Sequence, residues 1–168
     1  MIGRTHRIMV ADDDISVRES LRNLLLSEGY QVISVINGAE AVDTFHRERD
    51  LIDLLLLDLN MPLKNGWAAV DRLLEVNPSL LVLIVTGQPN QVELAEAAGV
   101  SGLVEKPIDV PALLDLIRKL LTNPLEACPP RPGVCEMPFR LVPAAGYTSR
   151  YPWTERNITP HSYGGLNE

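Results

Sequence analysis

The chain has 168 residues, of which 46% are hydrophobic, and this length and composition suit one domain with a sizeable core plus an appendage. Its net charge of −7 at pH 7 disfavours a nucleic-acid-binding surface as the main function. The apolar runs are shorter than the roughly 20 residues of a membrane span and no signal peptide is recognisable, so we expect a cytoplasmic protein without a membrane contact.

Residues 1–121 alternate strand and helix patterns. The first helix is predicted from about Asp14–Ser16, where Ser16 and Glu19 have capping-box spacing, and the last runs from the N-cap Asp109 to about Leu121. Three more helices are predicted at about 38–48, 66–75 and 90–98. Five short runs rich in Val, Ile and Leu are typical of strands buried on both faces. The predicted strands are Arg7–Ala11, Gln31–Val35, Leu54–Asp58, Leu80–Val85 and Gly102–Glu105.

This alternation predicts an α/β fold, namely a doubly wound five-stranded parallel sheet. The flavodoxin-like order 2-1-3-4-5 is favoured, and it makes the first and third strands neighbours. Ligands of such sheets bind outside the carboxyl ends of the strands. Asp12 and Asp13 follow the first strand and Asp58 ends the third, so we expect these carboxylates in one cleft.

Residues 122–168 have a different composition. They contain 8 of the 13 prolines and 5 of the 8 aromatic residues, with no sustained helical or strand period. We predict a Pro/aromatic-rich irregular tail without an independent domain, packed on its own domain or on a neighbouring chain. Cys128 and Cys135 are too few for a metal site and are expected to be thiols, although the pattern leaves their redox state open.

The residues after four strands have complementary chemistry. Asp12, Asp13 and Asp58 offer carboxylates for Mg²⁺, and a carboxylate such as Asp58 can attack a phosphoryl group. Thr86 offers a hydroxyl, and Lys106 offers an ammonium suited to a phosphoryl oxygen. Simpler interpretations exist for single residues, since Asp14 could cap a helix and Asp58 could start a turn.

These motifs together resemble the receiver domain of two-component response regulators, in its single-domain form. The resemblance covers about residues 4–121, and the matching motifs are Asp12-Asp13, Asp58-Leu59-Asn60-Met61-Pro62 with Gly66, Thr86-Gly87 and Lys106-Pro107. The resemblance implies a doubly wound fold, a cis peptide before Pro107 and a Mg²⁺-dependent reaction. It implies that Asp58 is the phosphoacceptor.

The resemblance also implies the other roles. Asp12, Asp13, Asp58 and the main-chain carbonyl of Asn60 would hold Mg²⁺. Thr86 would be the switch hydroxyl with Gly87 beside it, and Lys106 would contact the phosphoryl group. Apart from the resemblance, we expect Gly87 to keep the wall of the cleft open for close backbone approach. The residues that tune phosphoryl lifetime would be Asn60 and Gln88.

One position departs from the family pattern. Leu103 stands in the last strand where the family often has an aromatic residue whose rotamer follows the switch hydroxyl. Phosphorylation would then be reported by loop and helix shifts near residues 87–105.

The implied partners are a histidine kinase or histidine phosphotransfer protein and a downstream protein that the sequence does not name. Homodimer formation and a scaffold or dimerisation role through the tail, without phosphorylation, stay open. An aspartyl-phosphate hydrolase of the haloacid-dehalogenase class would need an acid two residues after the nucleophile, where Asn60 stands. The chain is therefore not expected to be an enzyme beyond its own phosphotransfer and dephosphorylation.

Overall fold

The computed structural model describes residues 4–61, 66–123, 140–143 and 145. Strands and helices alternate along this part of the chain, with a short 3-10 helix at Arg49–Leu51. The strands are β1 (Arg7–Ala11), β2 (Gln31–Val35), β3 (Leu54–Asp58), β4 (Leu81–Thr86), β5 (Gly102–Glu105) and β6 (Arg140–Val142). The helices are α1 (Ile15–Ser27), α2 (Gly38–Glu48), α3 (Gly66–Val76), α4 (Val92–Ala98) and α5 (Val110–Thr122).

Local side chains fix the helix ends. The carboxylate of Asp14 accepts the N–H groups of Ser16 and Val17 at 2.8 and 3.3 Å, so Asp14 caps α1. The predicted Ser16–Glu19 capping box is therefore wrong, because a better acceptor lies two residues earlier. Asp109 caps α5 as predicted, through the N–H of Ala112.

The six strands form one parallel sheet in the order β2-β1-β3-β4-β5-β6. The predicted order of the first five strands is confirmed. The register places Ala11 beside Leu57, so the residues that follow β1 and the end of β3 emerge side by side. The sheet thus delivers its acidic residues to one edge, as expected where the strand order reverses.

The side chains of the central strand β3 lie in two hydrophobic cores, one on each face of the sheet. Leu55 and Leu57 pack with the cluster on the α2, α3 and α4 side, while Leu54 and Leu56 pack with the cluster on the α1 and α5 side. Because successive strand residues face opposite sides, a strand buried on both faces needs an unbroken apolar run.

The tail prediction was wrong at one place, because residues 140–142 form β6 instead of irregular chain. This strand pairs with β5, with Arg140 beside Gly102 and Val142 beside Val104. A run of three residues is too short to show a strand period, and the pairing is nonlocal, so the sequence pattern did not predict it. The predictions for Cys128, Cys135 and the aromatic residues of the tail concern positions outside the described residues.

Candidate functional site

Three carboxylates meet at the carboxyl ends of β1 and β3. One oxygen from each of Asp12, Asp13 and Asp58 lies within 4.8 Å of the others. Asp12 and Asp58 are buried and Asp13 is exposed. Hard oxygen donors with one side open to water are the chemistry that Mg²⁺ prefers, so the residues present fit this ion.

Lys106 supplies the compensating charge. Its Nζ lies 3.1 Å from Oδ2 of Asp12 and 2.9 Å from Oδ2 of Asp58. Burial disfavours the ammonium, but hydrogen bonds and charges from Asp58 and Asp12 outweigh that effect and raise the pKa of Lys106 above its ordinary value. The side chain is therefore charged at neutral pH.

The two buried acids are held from the main chain as well. Oδ1 of Asp58 accepts the N–H of Asn60 at 3.0 Å, and Oδ1 of Asp12 accepts the N–H of Asp14 at 2.9 Å. Burial raises the pKa of Asp12, against the lowering effects of the Asp14 N–H and Lys106. Each buried carboxylate thus has one oxygen on the backbone and one on Lys106.

Thr86 ends β4 beside this cluster and is buried. Its Oγ1 accepts the N–H of Gln88 at 3.0 Å, and its carbonyl accepts the N–H of Lys106 at 2.8 Å. Within the described part of the chain, no hydrogen bond joins the Thr86 hydroxyl to the acids. The peptide bond between Lys106 and Pro107 is cis, which confirms that expectation.

The glycines of the site differ in importance. A Cβ on Gly87 would meet only Cβ of Lys106 at 3.9 Å, so the neighbouring protein atoms do not require glycine there, and the expected role of Gly87 in keeping the cleft wall open stays a prediction. A Cβ on Gly66 would lie 2.9 Å from Cα of Leu59 and 3.0 Å from the carbonyl oxygen of Asp58. The tight packing that requires glycine is therefore at the start of α3, against the backbone of Asp58 and Leu59.

Two amides lie together at the mouth of the site. The Nε2 of Gln88 donates to Oδ1 of Asn60. Both residues line an open cleft of about 760 Å³. The other lining residues are Asp13, Leu59, Met61, Trp67, Gln91 and Leu94. Whether the carbonyl of Asn60 binds a metal stays a prediction.

Leu103 lies in β5 and is 1% exposed. It belongs to the core on the α4 side and pairs with Ile84 and Leu141 across the sheet. Its side chain therefore lies in the core, whereas Thr86 lies at the strand ends.

Arg18 is a site residue that the sequence analysis missed. Its Nη1 donates to the carbonyl of Asp12 at 2.7 Å and approaches the carbonyl of Asp13 at 3.4 Å. Helix side chains point towards the N-terminus, so an arginine one turn into α1 can reach back over the loop that carries the acids. The position of Arg18 in the first turns of α1 was the feature of the sequence that could have indicated this contact.

Comparisons with known proteins agree with this geometry. The sequence model of the response regulator receiver domain matches residues 8–118, so the chain belongs to that family. The chemotaxis protein CheY of Treponema pallidum is 29% identical over 122 residues, which span 71% of this chain and 85% of that protein. Sporulation initiation phosphotransferase F of Bacillus subtilis is 29% identical over 117 residues, 68% of this chain and 93% of that protein.

A solved structure shares the architecture. The response regulator TrrA of Thermotoga maritima, in complex with Mg²⁺-BeF, has a TM-score of 0.65 and 28% identity, covering 70% of this chain and 100% of that one. As a receiver domain, this chain is a signalling protein and not a classical enzyme. Among the described helices, none has the length and apolarity needed to cross a bilayer.

Proposed function

We propose that the chain is a response regulator that accepts a phosphoryl group on Asp58 in a Mg²⁺-dependent reaction and signals through protein contacts. The observation that carries this proposal is the ammonium of Lys106 placed between Asp12 and Asp58 in a cluster of three carboxylates. A purely structural ion pair does not need a third, exposed acid beside two buried ones.

Asp58 is the nucleophile of this proposal. One of its carboxylate oxygens forms a bond to phosphorus while the phosphorus–nitrogen bond of a phosphohistidine donor breaks, and the imidazole leaves with the electron pair. The product is an acyl phosphate on Asp58. The donor class is a histidine kinase or a histidine phosphotransfer protein.

Asp12, Asp13, Asp58 and the main-chain carbonyl of Asn60 would hold Mg²⁺. The bound ion would offset the repulsion between the acceptor carboxylate and the incoming phosphoryl oxygens. The similarity to TrrA, which is solved in complex with Mg²⁺-BeF, supports this assignment.

Lys106 and Thr86 would receive the transferred group. Lys106 already contacts Asp58, so its ammonium would have only a short distance to move to reach a phosphoryl oxygen. Thr86 has one hydroxyl proton to donate, and we propose a phosphoryl oxygen as its acceptor. Gly87 would move with Thr86 in the same switch.

The output would differ from the aromatic relay of the family. Leu103 is buried, so a rotamer change there would not reach the surface directly. We propose that shifts in residues 87–105 carry the signal to a downstream protein or to a second copy of the chain. In this proposal residues 1–121 are the receiver domain, and residues 122–168 add no independent domain.

A stoichiometric labelling assay tests the proposal. The full chain is incubated with radiolabelled acetyl phosphate, with and without Mg²⁺, and alkali-labile label per chain is counted. We expect up to one label per chain, only with Mg²⁺, and none in Asp58→Asn. The control Asp43→Asn changes an exposed acid on α2 and should label like the parent.

Three results would reject the assignment. Turnover of free phosphoesters would indicate a hydrolase. Absence of labelling in a folded parent would indicate a scaffold or dimerisation module acting through its tail. Labelling of Asp58→Asn at the parent level would place the acceptor elsewhere.

A further inference from the structure

The sixth strand is built into the edge of the receiver. Val142 is 2% exposed and joins the core on the α1 and α5 side. A Cβ on Gly102 would lie 2.6 Å from the carbonyl oxygen of Arg140, so a glycine in β5 makes room for the backbone of β6. The strand thus covers main-chain groups that β5 would otherwise present as an open sheet edge.

The tail also reaches the loop that carries Lys106. The N–H of Ala145 donates to the carbonyl of Pro107 at 2.6 Å. Pro107 follows Lys106, whose own N–H is bonded to the carbonyl of Thr86. The backbone at 106–107 is therefore held by β4 through Thr86 and by the tail through Ala145, while the ammonium is held by Asp12 and Asp58.

We propose that β6 and Ala145 form a positioning element that keeps Lys106 on the two carboxylates and so opposes loading of the acceptor site. The inference rests on the proposed function of Asp58. Loading requires the Lys106 ammonium to leave the Asp12–Asp58 bridge for a phosphoryl oxygen. A backbone anchored at Pro107 resists that movement, and the loaded site in turn weakens the docking of the tail.

The positioning element lies outside the part of the chain that matches the family. The family match ends at residue 118, before β6, and 70% of this chain accounts for all of the TrrA chain that holds Mg²⁺-BeF. Acceptor chemistry in the family therefore does not require a sixth strand, which leaves β6 able to modulate a site that is complete without it.

The coupling must be reciprocal, because two linked equilibria change each other by the same factor. If loading weakens the tail contact, then removing the tail contact strengthens loading. Two measurements on the 168-residue chain follow. One is made at the acceptor site and the other at the tail contact.

The first measurement is the affinity for beryllofluoride in the presence of Mg²⁺, followed by fluorine NMR of the bound anion. Val142→Asp places a charge at the buried position of β6. We expect this variant to bind beryllofluoride at least about fivefold more tightly than the parent. The matched control is Leu141→Asp, which adds the same charge at the neighbouring position, where the side chain is 38% exposed. It should stay within about twofold of the parent.

A second pair of variants isolates the contact to Pro107. Ala145→Pro removes the N–H donor, whereas Ala145→Gly keeps it. We expect tighter beryllofluoride binding in Ala145→Pro alone. Because this position lies outside the core clusters, the pair decides the matter even if Val142→Asp fails to fold.

The second measurement is hydrogen exchange of the peptide that contains residues 140–145, with and without beryllofluoride and Mg²⁺. Faster exchange in the loaded parent supports the proposal. Equal exchange together with parent-like affinity in Val142→Asp and Ala145→Pro overturns it and leaves the acceptor assignment intact. A parent that binds no beryllofluoride overturns both.

Discussion

The Nζ of Lys106 lies 2.9 Å from Oδ2 of Asp58, although the two residues are 48 positions apart in sequence. Lys106 follows β5 and Asp58 ends β3, and β4 lies between those two strands in the sheet. The contact can therefore form only when the sheet is assembled. It makes the charge state of the candidate site part of the stability of the fold.

The first prediction uses the raised pKa of Lys106. A base with a raised pKa in the folded state adds stability that is complete below its unfolded pKa of about 10.5 and is lost as pH rises through the higher folded value. We expect the difference in the free energy of unfolding between the parent and Lys106→Met to shrink as pH rises above about 10.5.

Urea unfolding from pH 8 to 12 measures this difference. The control is Lys119→Met, which removes an exposed ammonium paired with Asp115 on the same helix. A surface pair of this kind contributes little, so this variant should differ from the parent by less than about 1 kcal/mol throughout. A pH-independent effect of Lys106→Met would show that its charge does not stabilise the fold.

The five-strand sheet could be predicted because its strands are defined locally. Four consecutive leucines before Asp58 indicate burial on both faces, and a buried strand in alternation with helices leaves few topologies. The site followed from that order, since the acids of β1 and β3 must emerge together. Lys106 and Thr86 could be assigned to the site because each directly follows or ends a strand of the same sheet.

Other contacts could not be predicted because they depend on side-chain reach and nonlocal pairing. The guanidinium of Arg18 donates to the carbonyl of Asp12. A single arginine in the sequence does not indicate which carbonyl its side chain will contact. β6 joins the sheet through three residues and a glycine in β5, and neither signal is specific before the partner is known.

The second prediction concerns metal affinity. The full chain should bind Mg²⁺ in the millimolar to sub-millimolar range, because few carboxylates and several waters would coordinate it. Asp13→Asn should weaken binding about tenfold or more, measured by calorimetry. The control Asp14→Asn also removes one negative charge but preserves the helix cap, since asparagine caps as well as aspartate.

Parent-like affinity in Asp13→Asn would remove Asp13 from the ligand set. An equal loss in both variants would instead indicate a general effect of net charge near the cleft, without a specific ligand.

The third prediction concerns Arg18, which bonds the carbonyl of Asp12. Arg18→Gln should lower the free energy of unfolding by about 1–3 kcal/mol, because it removes a hydrogen bond from a charged donor. If the bond also orients the loop that carries Asp12 and Asp13, the affinity for Mg²⁺ should fall by about threefold or more.

The control is Arg22→Gln, one turn later on α1, where the guanidinium only approaches Glu19 at 3.8 Å. Calorimetry and urea unfolding on both variants separate the roles of Arg18. A loss of stability with parent-like Mg²⁺ affinity would limit Arg18 to a structural role.

The last prediction concerns the lifetime of the phosphoryl group. Hydrolysis requires a water oxygen to attack phosphorus while the bond to the Asp58 oxygen breaks, which releases inorganic phosphate and restores the carboxylate. Gln88 and Asn60 share a hydrogen bond at the mouth of the site, and their amides can bind such a water. We expect a lifetime of seconds to minutes in the parent.

Gln88→Leu keeps the bulk of the side chain but removes its hydrogen-bonding groups, so it should lengthen the lifetime by about fivefold to tenfold, or roughly 1–1.4 kcal/mol in the barrier. Gln88→Ala removes the cover as well and should not lengthen it. Gln91→Leu is the matched control, because that amide bonds Trp67 in the same cleft and not Asn60. Phosphate release measured on all four proteins decides the matter: equal rates, or a parent lifetime of hours, would rule out water control by Gln88.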